Sequence, residues 1–411
     1  MRKLTLILSM VLAVFFSTIS CNKKEITLVK RLPVVQECLA NSDKITILYY
    51  SDTRSGVLSN WNQKVHKQFI NKVLENEKST GIKYLLFGGD NVLFGFLDIM
   101  WERFFNIMKI YQTTYPEIKI YPGLGNHELI LSQLLFDRLS KYEEYQGFTY
   151  EDFIGKLKKE LGENYEFNEN AEPSIFIKDM FVDSHGSLDV GEESEDSIYY
   201  KALNDSEKVS TEISRWGRFK KYVNKWAYLK EIPNINDERT YYSFTLPIGK
   251  SDKSVKIIVL DSSGSSFSDV QEKWYENELK FTEGPVFTMC HHPIFDFKNS
   301  PKIFKNWNVP PQLFLVGHKH EYERHSKNGS SQIPPFHIVS ASGGVPLRNP
   351  DGLPSCLKGS NICDCGEKAY NYCRITICNN PEEISIKVIV FGCKKIEDDF
   401  TVIDQLEFNW K

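Results

Sequence analysis

Val286-Phe287-Thr288-Met289-Cys290-His291-His292-Pro293 and Leu313-Phe314-Leu315-Val316-Gly317-His318-Lys319-His320-Glu321-Tyr322-Glu323-Arg324 decide the fold of this chain. Each sets an apolar, strand-like run directly before histidines. The same punctuation occurs upstream. Ile45–Tyr50 stops at Ser51-Asp52, Tyr84–Phe87 at Gly88-Gly89-Asp90, and Ile118–Tyr121 at Pro122-Gly123-Leu124-Gly125-Asn126-His127-Glu128. Short apolar runs bounded by Gly or Pro read as buried strands. In open α/β sheets ligands bind beyond the carboxyl ends of strands, and Asp with His is a ligand set for divalent metals. Strand ends that deliver Asp, Asn and His therefore predict a metal-centred α/β site.

Between these strands the pattern turns helical at Asn62–Glu77 and at Met100–Thr113, where Trp101, Phe104, Phe105 and Met108 form a core-facing stripe. Residues 129–145, 150–161 and 209–226 also read as helices, interrupted by a polar, acidic loop at 183–196. Arg215, Arg218, Lys220, Lys221 and Lys225 form a basic helical segment beside Trp216 and Trp226, read as a solvated face with Trp anchors. Strand patterns resume at Thr240–Leu246 and Val255–Leu260, and a terminal hairpin pairs Tyr372–Ile377 with Ile384–Phe391 across Asn379-Asn380-Pro381. Strands in both halves with helices between predict two mixed sheets packed as a sandwich flanked by helices. The expected organisation is a leader over 1–21, a linker over 22–43 and a catalytic domain over 44–347 with a largely helical insert at about 132–236. A Cys-rich segment with the hairpin follows over 348–411.

A hydrophobic fraction of 41% supports a substantial core, and a formal net charge of −4 leaves no basic footprint for nucleic acid. Arg2-Lys3, the apolar run Leu4–Phe16 and the small and polar residues before Cys21 read as a signal peptide. Thr18-Ile19-Ser20-Cys21 resembles a bacterial lipobox, with Thr18 in place of the usual Leu. The expectation is an exported, cell-envelope lipoprotein tethered through lipid on Cys21, or else a secreted protein. In an oxidising compartment the even C-terminal cluster of Cys356, Cys363, Cys365, Cys373, Cys378 and Cys393 reads as disulfides, with a pairing the sequence does not give. A zinc site in the tail is disfavoured because the spacing lacks CxxC. Cys290, inside an apolar strand, reads as a small buried packing residue.

Asp90, Asn126, His291 and His318 supply oxygen and nitrogen donors for one metal ion. Asp52 and His320 offer donors for a second, with Asp90 able to bridge. Two metals sharing a carboxylate lower the pKa of a water between them and clamp a phosphoryl oxygen. His127 follows a ligand and is placed to protonate a leaving oxygen. His292 is a weaker candidate for contact with phosphate. Asp261 reads equally as support for a ligand histidine or as a strand-end turn.

Asp52, Gly89-Asp90, Gly125-Asn126-His127-Glu128, His291-x-Pro293 and Gly317-His318-Lys319-His320 resemble, in order, the motifs of calcineurin-like metallophosphoesterases. Glu321-Tyr322-Glu323-Arg324 resembles the purple acid phosphatase branch. The likeness runs from about Ile45 to Gly344. It implies a sandwich flanked by helices, a dinuclear centre of iron, zinc or manganese, and phosphoester hydrolysis. It further implies that Asp52, Asp90 and His320 hold the first metal and that Asp90, Asn126, His291 and His318 hold the second. His127 then serves the leaving group. The chain departs from the pattern twice: Arg54 stands where most of the family has a ligand His, and Leu93 where purple acid phosphatases have Tyr. The first metal site is therefore expected to be weak, and Arg54 is expected to turn to the substrate phosphate. The expected function is an exported metal-dependent phosphatase or phosphodiesterase acting on a phosphorylated small molecule or macromolecule. The alternative is a non-catalytic phosphoesterase-fold binding module.

Overall fold

The computed structural model describes residues 43–54, 61–92, 95, 98–129, 219–237, 239–263, 267–297, 310–326, 336–345, 347–348 and 363–410, with 38, 149, 151 and 152. The leader, Cys21 and most of the insert lie outside the described residues.

The strands are β1 (Asp43–Tyr50), β2 (Tyr84–Phe87), β3 (Lys119–Pro122), β4 (Tyr242–Pro247), β5 (Ser254–Val259), β6 (Val286–Met289), β7 (Leu313–Val316), β8 (Tyr322–Ser326), β9 (Phe336–Ser340), β10 (Cys363–Glu367), β11 (Tyr370–Asn379), β12 (Ile384–Cys393) and β13 (Thr401–Trp410). The longer helices are α1 (Trp61–Glu77), α2 (Asp98–Thr114) and α3 (Asp269–Glu278). They form a six-stranded sheet in the order β13-β12-β11-β1-β2-β3 and a seven-stranded sheet in the order β10-β8-β9-β7-β6-β5-β4. In the first, β1, β2 and β3 are parallel and β11 joins β1 antiparallel. In the second, β5, β6, β7 and β9 are parallel. This is the mixed two-sheet sandwich expected from the sequence.

Alternation along the strands explains why the sheets stack. Ile47, Ile257, Phe287, Leu313 and Leu315 join one core cluster between the sheets. The opposite faces are also buried, so the parallel strands read as near-continuous apolar runs. Tyr50 packs on Phe69 of α1 and Phe87, with ring centroids 5.0 Å apart in each case. Ile258, Phe314 and Val316 pack with Tyr275 and Leu279 at α3. The α2 stripe faces the core as expected, Met108 being fully buried and Trp101 nearly so.

The last part of the insert, from residue 219, packs on that same helix. Tyr222 and Trp226 are buried, and Tyr222 lies 5.0 Å from Trp101, ring to ring. Lys221 sits 5.5 Å over Trp101 and Lys225 5.8 Å over Phe105. These lysines of the basic segment cover aromatic rings instead of forming a purely solvated face. Arg215, Trp216 and Arg218 lie outside the described residues.

The C-terminal hairpin forms with Tyr372 opposite Phe391 and Ile377 opposite Ile386. It does not stand apart, because β11 pairs with β1 at the centre of the first sheet and β10 edges the second. β13 was not expected as a strand, although Leu406, Phe408 and Trp410 alternate with polar residues.

Cys378 on β11 is bridged to Cys38. Disulfide pairing does not extend to Cys373 and Cys393, which are buried free thiols. Their register partners are Val390 and Tyr370, so no cysteine faces either. Cys290 is a buried free thiol, as expected. Among the described residues no helix is long and apolar enough to cross a membrane.

Glu77, the fully buried last residue of α1, ties the helix to the sheet. Its Oε1 accepts from Tyr372 Oη at 2.6 Å and its Oε2 from Arg374 Nη1 at 3.2 Å. Removing one partner from a buried hydrogen-bonded ion pair leaves the rest unsatisfied. Glu77→Ala is expected to destabilise the fold by about 3–5 kcal/mol, read as a lower urea midpoint with unchanged m.

Candidate metal centre

The loops that leave β1, β2, β3, β6 and β7 meet at one end of the sandwich, because parallel register aligns the strand ends. Tyr50 is level with Phe87, and Phe87 with Pro122. Backbone contacts then knit the loops together. Asp52 N–H donates to Gly89 O at 3.0 Å, Arg54 N–H to Asp90 O at 2.8 Å, and Gly317 N–H to His291 O at 2.9 Å.

Among the described residues the non-glycine positions with positive φ are Asp52 (60°), Arg54 (43°), Asp90 (52°), His318 (77°) and His320 (61°). All belong to this site. A left-handed residue with a Cβ costs about 1–2 kcal/mol, and such strain persists only where the surroundings over-determine it. Tight approach does that here. A Cβ on Gly317 would lie 2.5 Å from Asp52 Oδ2, and one on Gly125 would collide with Asp90 Oδ1. The Ser342-Gly343-Gly344 turn closes from the other sheet, with Gly343 N–H on Ser51 O at 2.8 Å and Val345 N–H on Asp52 O at 3.2 Å.

Glu128 is the organiser that the sequence reading missed. Its buried carboxylate accepts N–H bonds from Gly125 (2.6 Å), Asp90 (3.0 Å), Asn91 (2.6 Å) and Val92 (3.2 Å). Burial and the nearby Asp90 charge push its carboxyl up to about 7. The available signal was an acid just beyond a Gly-rich strand end, where backbone donors lack partners.

Asp90 lies at the centre and is fully buried. Its Oδ1 accepts from His127 N–H at 3.0 Å. Its Oδ2 accepts from Arg54 Nη2 at 2.8 Å and Nε at 3.1 Å. Burial pushes the carboxyl up, but the charges of His291, His127 and Arg54 outweigh it and hold Asp90 well below the usual range. Asp52 Oδ2 accepts from His318 N–H at 2.9 Å and from Ser51 Oγ. Burial and Asp90 push Asp52 up to about 6 in spite of His291 and Arg54.

Two pairs of buried donor atoms face each other. His291 Nε2 lies 3.2 Å from Asp90 Oδ1, and His320 Nε2 lies 3.6 Å from Asp52 Oδ1. Both imidazole nitrogens and Asp52 Oδ1 lack a hydrogen-bond partner. His291 Nδ1 is 3.0 Å from Gly88 O, which makes Nδ1 a protonated nitrogen and leaves Nε2 as the atom facing inward. Burial opposes charge on His291, yet Asp90 and Asp52 pull its pKa up to about 9, so the two carboxylates favour a proton or another cation at Nε2. Two ligands on one zinc-sized ion stand about 3.0 to 3.6 Å apart for bonds near 2.1 Å. The donor set fits a metal ion. Asp52, Asp90 and His320 form a buried group whose donor atoms all lie within 4.8 Å of one another.

The remaining expected residues are nearby. His318 Nδ1 is 3.1 Å from Asn126 Oδ1, and the His318 and His291 rings are 5.3 Å apart. His292 is buried, 4.3 Å from His318 ring to ring, and burial lowers its pKa to about 3. Its imidazole is neutral and shielded from solvent. His127 is 4% exposed, with Nε2 3.8 Å from Asp90 Oδ2. Arg54, expected at a substrate phosphate, is only 8% exposed and grips Asp90. The buried carboxylate supplies the stronger local demand for a cation. Leu93 lies outside the described residues.

Asp261 forms a strand-end turn, accepting from Ser263 N–H at 3.0 Å and from Thr240 Oγ1 at 2.6 Å. The adjacent Ser262 Oγ accepts from the His291 and His292 N–H groups, both at 2.9 Å. Arg348 is a further residue that the sequence did not point to. Its N–H donates to His320 O at 3.0 Å, and its exposed side chain is within reach of the Arg54 and Asp52 charges. Tyr322 and Arg324 brace the last loop through Asp404 Oδ2 of β13, at 2.6 Å each. His66, His325 and His337 are core histidines.

No family profile matches the sequence, and no curated protein matches it. In shape the chain is similar to GAP50, the anchor in the inner membrane complex of Plasmodium. The identity is 13%, the coverage 91% of this chain and 90% of that one, and the TM-score 0.46. It is also similar to a dimetal phosphatase from Danio rerio, with 10% identity, 89% and 99% coverage, and a TM-score of 0.41. Likenesses this loose carry no argument about activity.

A ligand that binds only the folded chain stabilises it by about 2.7 kcal/mol at a hundredfold excess over Kd. Zinc or manganese is therefore expected to raise Tm in a concentration-dependent way, a shift abolished in His291→Ala and measured by calorimetry.

Proposed function

We propose that this protein is a metal-dependent phosphoester hydrolase. The observation that carries the reading is the facing of buried donors at Asp90–His291 and Asp52–His320 on adjoining strand ends, with His291 Nε2, His320 Nε2 and Asp52 Oδ1 left without a hydrogen-bond partner. Asp90, His291, His318 and Asn126 would hold an ion on one side, and Asp52 and His320 on the other. A bound divalent ion supplies Lewis acidity toward a phosphoryl oxygen and lowers the pKa of water.

The chain's own groups account for the rest. His127 is oriented by its N–H bond to Asp90, with its Nε2 3.8 Å from the same carboxylate. As a general acid it would protonate the leaving oxygen. Glu128 holds the two loops at fixed spacing, so His127 and Asp90 do not drift apart. Iron, zinc and manganese all suit the donors. The substrate would be a phosphorylated small molecule or macromolecule, met outside the cell or in its envelope if the leader acts as an export signal.

The Arg54–Asp90 pair favours a second reading, a phosphate-binding module without turnover, because it occupies a carboxylate that the chemistry would use. Hydrolysis of p-nitrophenyl phosphate and of its bis-ester by the metal-loaded chain separates the two. Turnover is expected, with kcat falling about 10²- to 10⁴-fold in His127→Ala at unchanged metal content. Turnover that survives in Asp90→Asn would sink the hydrolase reading. Binding of phosphate without turnover in the wild type would establish the module.

A further inference from the structure

We propose that Arg54 is a built-in cation that makes this centre mononuclear, with one ion held tightly at Asp90 and His291 and the Asp52–His320 side left as a weak second position. The inference rests on the metal-dependent reading above and sharpens it.

The argument is an allocation of lone pairs. An ionised carboxylate offers about four acceptor positions, two on each oxygen. Both positions on Asp90 Oδ2 are taken by Arg54 Nη2 and Nε, at 2.8 and 3.1 Å. One position on Oδ1 is taken by His127 N–H at 3.0 Å. What is left is one lone pair on Oδ1, 3.2 Å from His291 Nε2. A carboxylate in that state serves one ion. It does not bridge two.

Arg54 is fastened by its main chain as well as its side chain, since its own N–H donates to Asp90 O at 2.8 Å. The pair is buried, with side-chain exposures of 10% and 0%, and separating it would leave an uncompensated charge on Asp90. Guanidinium offers no acceptor and so cannot itself become a ligand.

The Asp52 side is then short of donors. Of the buried Asp52–Asp90–His320 group, Asp90 Oδ2 is held by Arg54 and Asp52 Oδ2 is spent on His318 N–H and Ser51 Oγ, which leaves Asp52 Oδ1 and His320 Nε2, 3.6 Å apart, as its open donors. Catalytic zinc sites use three protein ligands and structural ones four. Charge points the same way: the Arg54 guanidinium already neutralises the carboxylate that two ions would have to share.

The test is zinc uptake by the full chain, counted by elemental analysis after dialysis and by calorimetric titration. Wild type is expected to retain one zinc per chain, with a second bound at least tenfold more weakly. Arg54→His is expected to retain two. Arg54→Gln frees Asp90 Oδ2 without adding an imidazole, and is expected to tighten the second zinc by a smaller factor. Circular dichroism confirms that both variants are folded. Two zincs of equal affinity in wild type, or no tightening in either folded variant, would overturn the inference. Ester turnover measured in parallel keeps the readings apart: one zinc without turnover supports the mononuclear centre while removing the hydrolase, and no zinc overturns both.

Discussion

The buried Asp90 carboxylate is the constraint on which the rest of the site depends. An ionised group at zero exposure is tolerable only when surrounded by donors and opposite charge. Arg54 from the loop after β1, His127 from the loop after β3 and His291 from the end of β6 all converge on it. Three chain segments, two of them in one sheet and one in the other, are thereby held to a common point. Glu128 performs the complementary task from behind, gathering N–H groups that include Asp90's own.

That arrangement is expensive for the backbone. Asp52, Arg54, Asp90, His318 and His320 all sit in the left-handed region, at about 1–2 kcal/mol each. Such a total is comparable with the net stability of an ordinary domain. The strain is borne by the two-sheet core beneath, where β1, β2, β6 and β7 end in fully buried residues and cannot shift without opening the sandwich. A binding site built on strand ends over a packed core is preorganised in this sense: the geometry exists before any ligand arrives.

Much of this was legible in the chain. Tyr84–Phe87, Val286–Met289 and Leu313–Val316 were bounded on both sides by residues that end strands, and their positions follow from local pattern alone. The ligand candidates followed from the residue that each strand delivered at its end. Other features left no such mark. Glu128 follows a Gly-rich strand end, but three of the four backbone donors it serves come from the loop after β2, which only the fold brings to it. Arg348 enters only because a loop from the second sheet folds onto His320. Cys373 and Cys393 remain thiols because strand register sets Val390 and Tyr370 opposite them, and register is a property of pairs of strands. The alternation in β13 was readable, but its role as an edge strand beside β12 was not.

What the sequence determined by itself was the layered architecture and which residues stand at the strand ends, because apolar run length, glycine punctuation and side-chain chemistry are local properties. What only the tertiary structure decided was how those donors are shared. Arg54 and Asp90 are 36 positions apart, and nothing in their neighbours states that the guanidinium takes both lone pairs of one carboxylate oxygen. That choice is made where parallel strands bring two loops to hydrogen-bond distance and burial removes the water that would otherwise compete. The electrostatics of the centre, and the number of ions it can hold, follow from it.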